Sequence, residues 1–504
     1  MSYSVCGRPA SQATLSIPYG EGEAPKRWRA LTVSLIAAFM ALLDVSIVNV
    51  ALPSMERAMG ASAADLQWVV SGYALTFGLA LVPAGRLGDT FGRRRMFLVA
   101  LPAFVLTSAL SGAAPTAGLL IAARLVQGFA GGMLIAQNSG LIQDLFRGSE
   151  RARAFGLLGA TVGLSTAAGP VIGGLILAVF TGPDGWRWVF YVNVPIGLLA
   201  LVLAARLVPS TSSARTRGIH LDLVGSLLLG GGVVSLLLPL VDAESGGEGG
   251  LWPLFGLAIL LLGAFGWWEV RTVRLRHEPL LDPRLAGIPG YAAGSGIGLV
   301  YFTGITGVWL VLALFFQDGL GYSPLRSGLA VSPAALGVAA SSVIAGRLVF
   351  RVGRWLTVVG LVASAVGLVA TALVLRHVGG DAAAWATAGP LLVAGIGGGM
   401  VTSPNITLTL QFVPVAMAGA AGGALQTAQR IGAGVGVAVL ATIYYQVLTG
   451  GHDDATAVSR ALLCGSGIML LALLMALAEI ARRSPARVKE YAPVARPEHN
   501  LHHI

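Results

Sequence analysis

Asp44, Arg124 and Gln127 stand inside long apolar runs, and they are the residues whose types and spacing could do chemistry. Asp44 lies roughly midway along the run 31–52. A carboxylate at that depth costs about 3 kcal/mol on insertion scales, a cost that a bound proton or a facing cation relieves. It suits a group alternating between those two states; the competing reading is a structural carboxylate hydrogen-bonded to neighbouring helices. Arg124 and Gln127, in the run 119–140, are i and i+3 and share one helix face. The arginine requires a carboxylate, water or carbonyl partner, for which Asp44 is a candidate, or else it snorkels toward the nearer surface. Asn49, turned away from Asp44, reads as a helix–helix hydrogen-bonding group. Arg430, with Gln426 one turn before it, either lines a cavity or snorkels to the end of its run.

Other chemistries are poorly served. Cys6 and Cys464 are few and far apart, which argues against a disulfide framework or a cysteine metal site. His499, His502 and His503 read as a frayed terminus rather than a metal tail. Gly397, Gly398 and Gly399, and Gly432, Gly434 and Gly436, lie inside apolar runs with no strand before them, so they read as helix packing rather than nucleotide loops. The only lysines are Lys26 and Lys489, so no Walker lysine exists. Neither a metal nor a cofactor is expected, and a proton gradient is the expected energy source.

The elements that must position these groups follow from composition. Hydrophobic residues make up 55% of the 504, and charged residues 11% against about 25% in a soluble domain, so the solvent is mostly lipid. A span needs about 20 apolar residues, and fourteen segments meet that test. They include 31–52, 66–85, 119–140, 154–180, 188–207, 221–241, 251–270, 328–348 and 419–447. Their unbroken length excludes alternating barrel strands. The expected fold is therefore an all-α polytopic membrane protein with fourteen transmembrane helices.

Orientation follows from Lys and Arg. With the N-terminus placed inside, 26 of the 33 basic residues fall in inside segments, five fall outside, and Arg124 and Arg430 fall within spans. The net charge of +10 is thus a face feature that favours anionic lipid rather than nucleic acid. Both termini are expected in the cytoplasm, and residues 1–25 hold no apolar core of a cleavable signal.

A faint repeat organises the spans. Gly85, Arg86, Leu87 and Gly92, Arg93 recur as Gly346, Arg347, Leu348 and Gly353, Arg354, at a constant offset. Two six-helix pseudo-repeat bundles explain this if spans seven and eight are an inserted helical hairpin with an acidic turn at Asp242, Glu244 and Glu248. The expected division is an N-tail 1–30, a first bundle 31–207, a linker with the hairpin 208–285, a second bundle 286–481 and a C-tail 482–504. Halves of this kind place a substrate site at their interface near the midplane.

Four motifs now carry a resemblance to the major facilitator superfamily, and within it to the fourteen-span drug:proton antiporters, over about residues 30–480. The run from Gly85 through Asp89, Gly92, Arg93 and Arg94 to Arg95 resembles the superfamily's cytoplasmic loop signature, in which glycines permit a tight turn and an aspartate pairs with arginine or caps a helix. Phe350 replaces the aspartate in the second copy, so only the first half is expected to carry an acidic latch. The stretch Leu43–Pro53 resembles the motif of the fourteen-span group, and Arg124–Gly128 the one in which an intramembrane arginine is linked to proton transfer. Gly156, Gly169, Pro170, Gly173 and Gly174 resemble the kinked antiporter motif, with Ser165 where a glycine is expected. Trp186–Gly197 resembles the subfamily's entry to span six.

The resemblance implies a non-enzymatic, proton-coupled antiporter that exports amphipathic drugs or antibiotics across a plasma membrane. In the expected cycle, deprotonated Asp44 favours cargo from the inside and outer protons displace it. The expected partners are an amphipathic small molecule, protons and membrane lipid, with a monomer favoured. A solute symporter or a lipid or metabolite exporter on the same scaffold is the competing reading.

Overall fold

In hydrocarbon every backbone amide and carbonyl needs an internal partner, so chain this apolar folds as helix. The computed structural model describes residues 24–209, 222–244, 250–275, 277, 279–414 and 417–482, without the side chains of a few of them, and its regular elements are all helical. They are α1 (Ala24–Met59), α2 (Ala63–Phe91), α3 (Arg93–Ala113), α4 (Ala117–Leu145), α5 (Gly148–Val179), α6 (Trp188–Tyr191), α7 (Asn193–Leu207), α8 (Leu223–Glu244) and α9 (Pro253–Arg274). The second half comprises α10 (Tyr291–Leu314), α11 (Pro324–Val352), α12 (Trp355–His377), α13 (Ala382–Thr409), α14 (Ala418–Thr449) and α15 (Asp454–Arg482). Helix starts are written in the sequence. The Ser62 hydroxyl accepts from the Asp65 amide while the Asp65 carboxylate accepts from Ser62, and Thr116 and Ser323 cap α4 and α11.

The chain is a multi-pass membrane protein. Among the described residues twelve helices are long and apolar enough to cross a bilayer, one of them running from Gly185 through α6 and α7 to Leu207. A thirteenth candidate is α5, whose parts Gly148–Thr166 and Val171–Val179 meet at 42°. The apolar part of α8, Leu223–Pro239, is shorter, so the expected fourteen exceed what length and hydropathy establish. Helices α8 and α9 pack antiparallel: Asp222, just before α8, accepts from the Trp268 indole at 2.9 Å, and Gly232 lies against Leu262. The acidic turn at Glu248, residues 1–23 and 483–504 of the tails, and with them Cys6, His499, His502 and His503, lie outside the described residues. The side chains of Asp242 and Glu244 do so as well.

Two apolar cores form, one chiefly from α1–α7 around Phe77, Phe97, Phe104 and Phe155, the other from α10–α15 around Phe315, Phe316, Leu368 and Tyr444. Two seams join them, α2 along α14 and α5 along α11. Small residues let the backbones meet there. A side chain on Gly85 would collide with the Gly419 carbonyl, and a Cβ on Gly346 would lie 2.6 Å from the Ala152 carbonyl and 2.9 Å from Gly156 Cα. Gly85 and Gly346 are the repeat partners noted in the sequence, so the same device closes both seams.

Substituting Gly346→Leu is expected to open the α5–α11 seam, because overpacking costs about 1–3 kcal/mol. In a C6S/C464S background carrying S342C, a position fully buried against Gly159, maleimide labelling should rise roughly tenfold. Unchanged labelling would mean that this seam tolerates a wider spacing.

Candidate functional site

Midway along its helices the first half gathers its buried charge in one place. Asp44, Arg124, Gln127 and Asn193 are each 0–1% exposed. Arg124 donates Nη1 to Asp44 Oδ2 and, at 2.9 Å, to Gln127 Oε1, while its Nε donates to the Val69 carbonyl at 3.1 Å. Gln127 Nε2 and Asn193 Nδ2 both donate to Asp44 Oδ1, at 3.1 and 2.8 Å. The i, i+3 spacing on α4 thus aims two donors at one carboxylate on α1, and α7 supplies the third. The guanidinium lies 4.1 Å from the Tyr73 ring centroid and 5.7 Å from that of Phe190. Tyr73 donates to the Ala41 carbonyl at 3.1 Å, one turn before Asp44. Asn193 also donates to Ser108 Oγ at 3.0 Å, which ties α3 to the cluster.

Arg124 therefore does not snorkel. Asn193, Tyr73, Ser108 and Phe190 were not legible as members of this site. The one signal available for Asn193 was a polar side chain inside the Trp186–Gly197 run. Asn49 corrects the sequence reading: it is exposed and makes no hydrogen bond among the described residues, because five residues along α1 rotate it away from the packed helices.

The loop motif forms a second cluster, at the basic end of the bundle. Asp89 pairs with Arg93 at 2.7 Å, and its carboxylate accepts from the Gly419 and Ala420 amides, at 3.2 and 3.1 Å, at the N-terminus of α14 in the other half. Arg93 also pairs with Asp144 on α4 at 2.7 Å. Gly92 turns the chain between α2 and α3 with φ +96°, as Gly353, at φ +64°, does after α11. Arg94 donates to the Ala205 carbonyl at 2.7 Å. In the second copy Phe350 is exposed. Arg354 there is buried, pairing with Glu479 on α15 at 2.7 Å and donating to Asn405 on α13 at 2.6 Å, a tie within one half rather than across the seam.

The α5 motif has two faces. Gly169 and Gly173 pack on Ser46 and Ile47 of α1, beside Asp44, whereas Gly156 and Gly174 meet Gly346 and Leu325 of α11. Ser165, in the expected glycine position, is fully buried, and its carbonyl accepts from Ser46 at 3.2 Å. The Pro170 side chain lies outside the described set. Helix α5 therefore links the carboxylate helix to the second half. Beside it, α5, α10, α11 and α13 enclose an apolar cavity of about 120 Å³, with Tyr301, Phe302 and Trp309 in its wall and the hydroxyls of Thr166, Ser332 and Thr402 at its edge.

The family model described as Major Facilitator Superfamily matches residues 34–437. A probable actinorhodin transporter of Streptomyces coelicolor is 36% identical over 88% of this chain and 77% of its own length. The puromycin resistance protein pur8 of Streptomyces alboniger is 38% identical over 84% and 83%. Among solved structures, the human organic anion transporter MFSD10 (TETRAN) superposes with a TM-score of 0.66 at 16% identity, over 89% of this chain and 99% of that one, a likeness of fold.

Breaking a buried pair from one side costs about 3–5 kcal/mol, because the remaining charge stays buried and unmatched. Asp44→Asn and Arg124→Gln should each lower the unfolding temperature in detergent. The double variant should recover part of the loss, with a coupling of about 2 kcal/mol. Strictly additive effects would mean that the two groups do not depend on one another.

Proposed function

The chain belongs to the major facilitator superfamily and is a transport protein rather than an enzyme, and on that premise we propose that it is a proton-coupled antiporter exporting amphipathic drugs or antibiotics. The observation that carries this reading is the Asp44 carboxylate, fully buried and held by Arg124, Gln127 and Asn193 from α4 and α7. Such a group exchanges its counter-charge only when helices move. Protonating Asp44 removes the partner of Arg124, weakens the hold of α1 on α4 and α7, and frees the guanidinium to keep only its carbonyl and ring contacts. Since α5 packs on α1 beside Asp44 and on α11 of the other half, a shift of α1 is passed to the seam that rocks. The cavity walled by Tyr301, Phe302 and Trp309 lies between α5 and the second half, where such a shift can reshape it.

In this reading the basic end is cytoplasmic, both termini lie there, and the membrane is the plasma membrane. Asp89 seated on the α14 N-terminus holds the two halves together at that end. Helices α8 and α9 form the inserted hairpin between two six-helix bundles, which with α5 as one bent span brings the count to fourteen. The names of the relatives, an actinorhodin transporter and a puromycin resistance protein, support a natural-product cargo.

One proton moving down 100 mV supplies about 2.3 kcal/mol, enough for roughly 50-fold accumulation of a neutral cargo. Cells expressing the chain should show raised tolerance to at least one amphipathic aromatic antibiotic, lost on adding a proton uncoupler and lost with Asp44→Asn. Gradient-driven export by proteoliposomes of the Asp44→Asn variant at the wild-type rate would remove Asp44 from the coupling.

A further inference from the structure

One charge at membrane depth remains unmatched. Arg430 lies twelve residues into α14, about 18 Å along the helix from its start, too deep to serve as an end-of-span snorkel. Its side chain shares a helix face with Gly419, Gly423 and Gln426, the residues through which α14 meets α2 and α4. It therefore points at the first half rather than at lipid. The guanidinium carbon sits 4.5 Å from the Phe77 ring centroid, and among the described residues no carboxylate and no hydrogen bond meets it. The residue as a whole is partly buried.

Arg124 rests on Tyr73, one turn before Phe77 on α2, and the two rings are 5.9 Å apart. The two intramembrane arginines, one from each half, thus stand on one aromatic ladder. Asp44 neutralises only Arg124. The seam between the halves consequently holds an excess positive charge, with five N–H donors facing the aromatic rungs of α2. A lipophilic cation would meet repulsion there. An aromatic acid would find a fork that matches its carboxylate.

We propose that Arg430 is the cargo-recognising residue and that the cargo class is the amphipathic aromatic anion, its carboxylate or phenolate held by the Arg430 guanidinium. This rests on the exporter reading and gives it a substrate class. It separates two tasks: Asp44 exchanges the proton, and Arg430 selects the charge of what is exported. The required anion also exists in the headgroups of acidic lipids, so the test must distinguish a cargo acid from a lipid phosphate.

The experiment uses the full chain in nanodiscs of phosphatidylcholine, and separately of phosphatidylglycerol, with pyrenebutyrate and its uncharged primary amide as probes and tryptophan quenching as readout. Wild type should bind the acid roughly tenfold or more tightly than the amide in both lipids. Arg430→Gln should remove that preference without changing amide affinity, and Arg430→Lys should retain part of it. Asp44→Asn, which tests the coupling instead, should keep the preference while losing proton release in proteoliposomes. Equal or absent binding of both probes to wild type, or a preference that survives Arg430→Gln, overturns the proposal. A preference seen in phosphatidylcholine and abolished by phosphatidylglycerol assigns Arg430 to a lipid headgroup and overturns it too. If instead Asp44→Asn still couples while Arg430→Gln loses the acid, the proton-site reading fails and the anion site stands.

Discussion

A carboxylate withdrawn from water must be matched, and the first half of this protein is built around matching one. Asp44 is completely buried in α1, where its charge is tolerable only because Arg124, Gln127 and Asn193 converge on it from α4 and α7. That requirement fixes the rotation of three helices at once. It also draws α2 in, since Tyr73 lies under the guanidinium and bonds the backbone of α1 one turn before Asp44. The aromatic core of this half packs around a polar centre, and a change in the protonation of that centre is felt by every helix that donates to it.

The second constraint is how closely the halves approach. The seams carry glycine where backbones meet, Gly85 on Gly419 and Gly156 on Gly346. Such contacts gain dispersion energy over a long surface without locking side chains together, which suits surfaces that part and rejoin. The locking element is separate and electrostatic: Asp89, pinned by Arg93, reaches the free amides that begin α14. Its counterpart in the second repeat has been spent differently. With Phe350 in the place of the aspartate, the equivalent arginine, Arg354, turns inward to Glu479 and Asn405 and stabilises its own half. The latch is asymmetric even though the glycine seams are symmetric.

What composition and spacing decide is what depends on solvent and on the helix period. A chain with 11% charged residues must live in lipid and must be helical there, and the clustering of arginine in loops marks one face. Arg124 and Gln127 share a face because three residues is nearly one turn, and Gly85 and Gly346 were recognisable as equivalent from the repeat alone. The span count was less secure. Helix α8 carries a short apolar stretch ending at Pro239, and α5 bends by 42°, so run length separates spans poorly at those points.

Partners across helices depend on rotation and tilt, which a one-dimensional pattern does not contain. That Asp44 meets Arg124, 80 residues away, that Asn193 completes the carboxylate's shell and that Arg430 rests on Phe77 were decided by the tertiary packing. The same packing turned Asn49 outward, although it lies five residues from Asp44 on the same helix. The sequence by itself determined which charges had to enter the membrane. Only the packing of α1, α2, α4, α7 and α14 determined which of them were neutralised and which one, Arg430, was not, because in a low-dielectric interior the energy of a charge is set by what stands within a few ångströms of it.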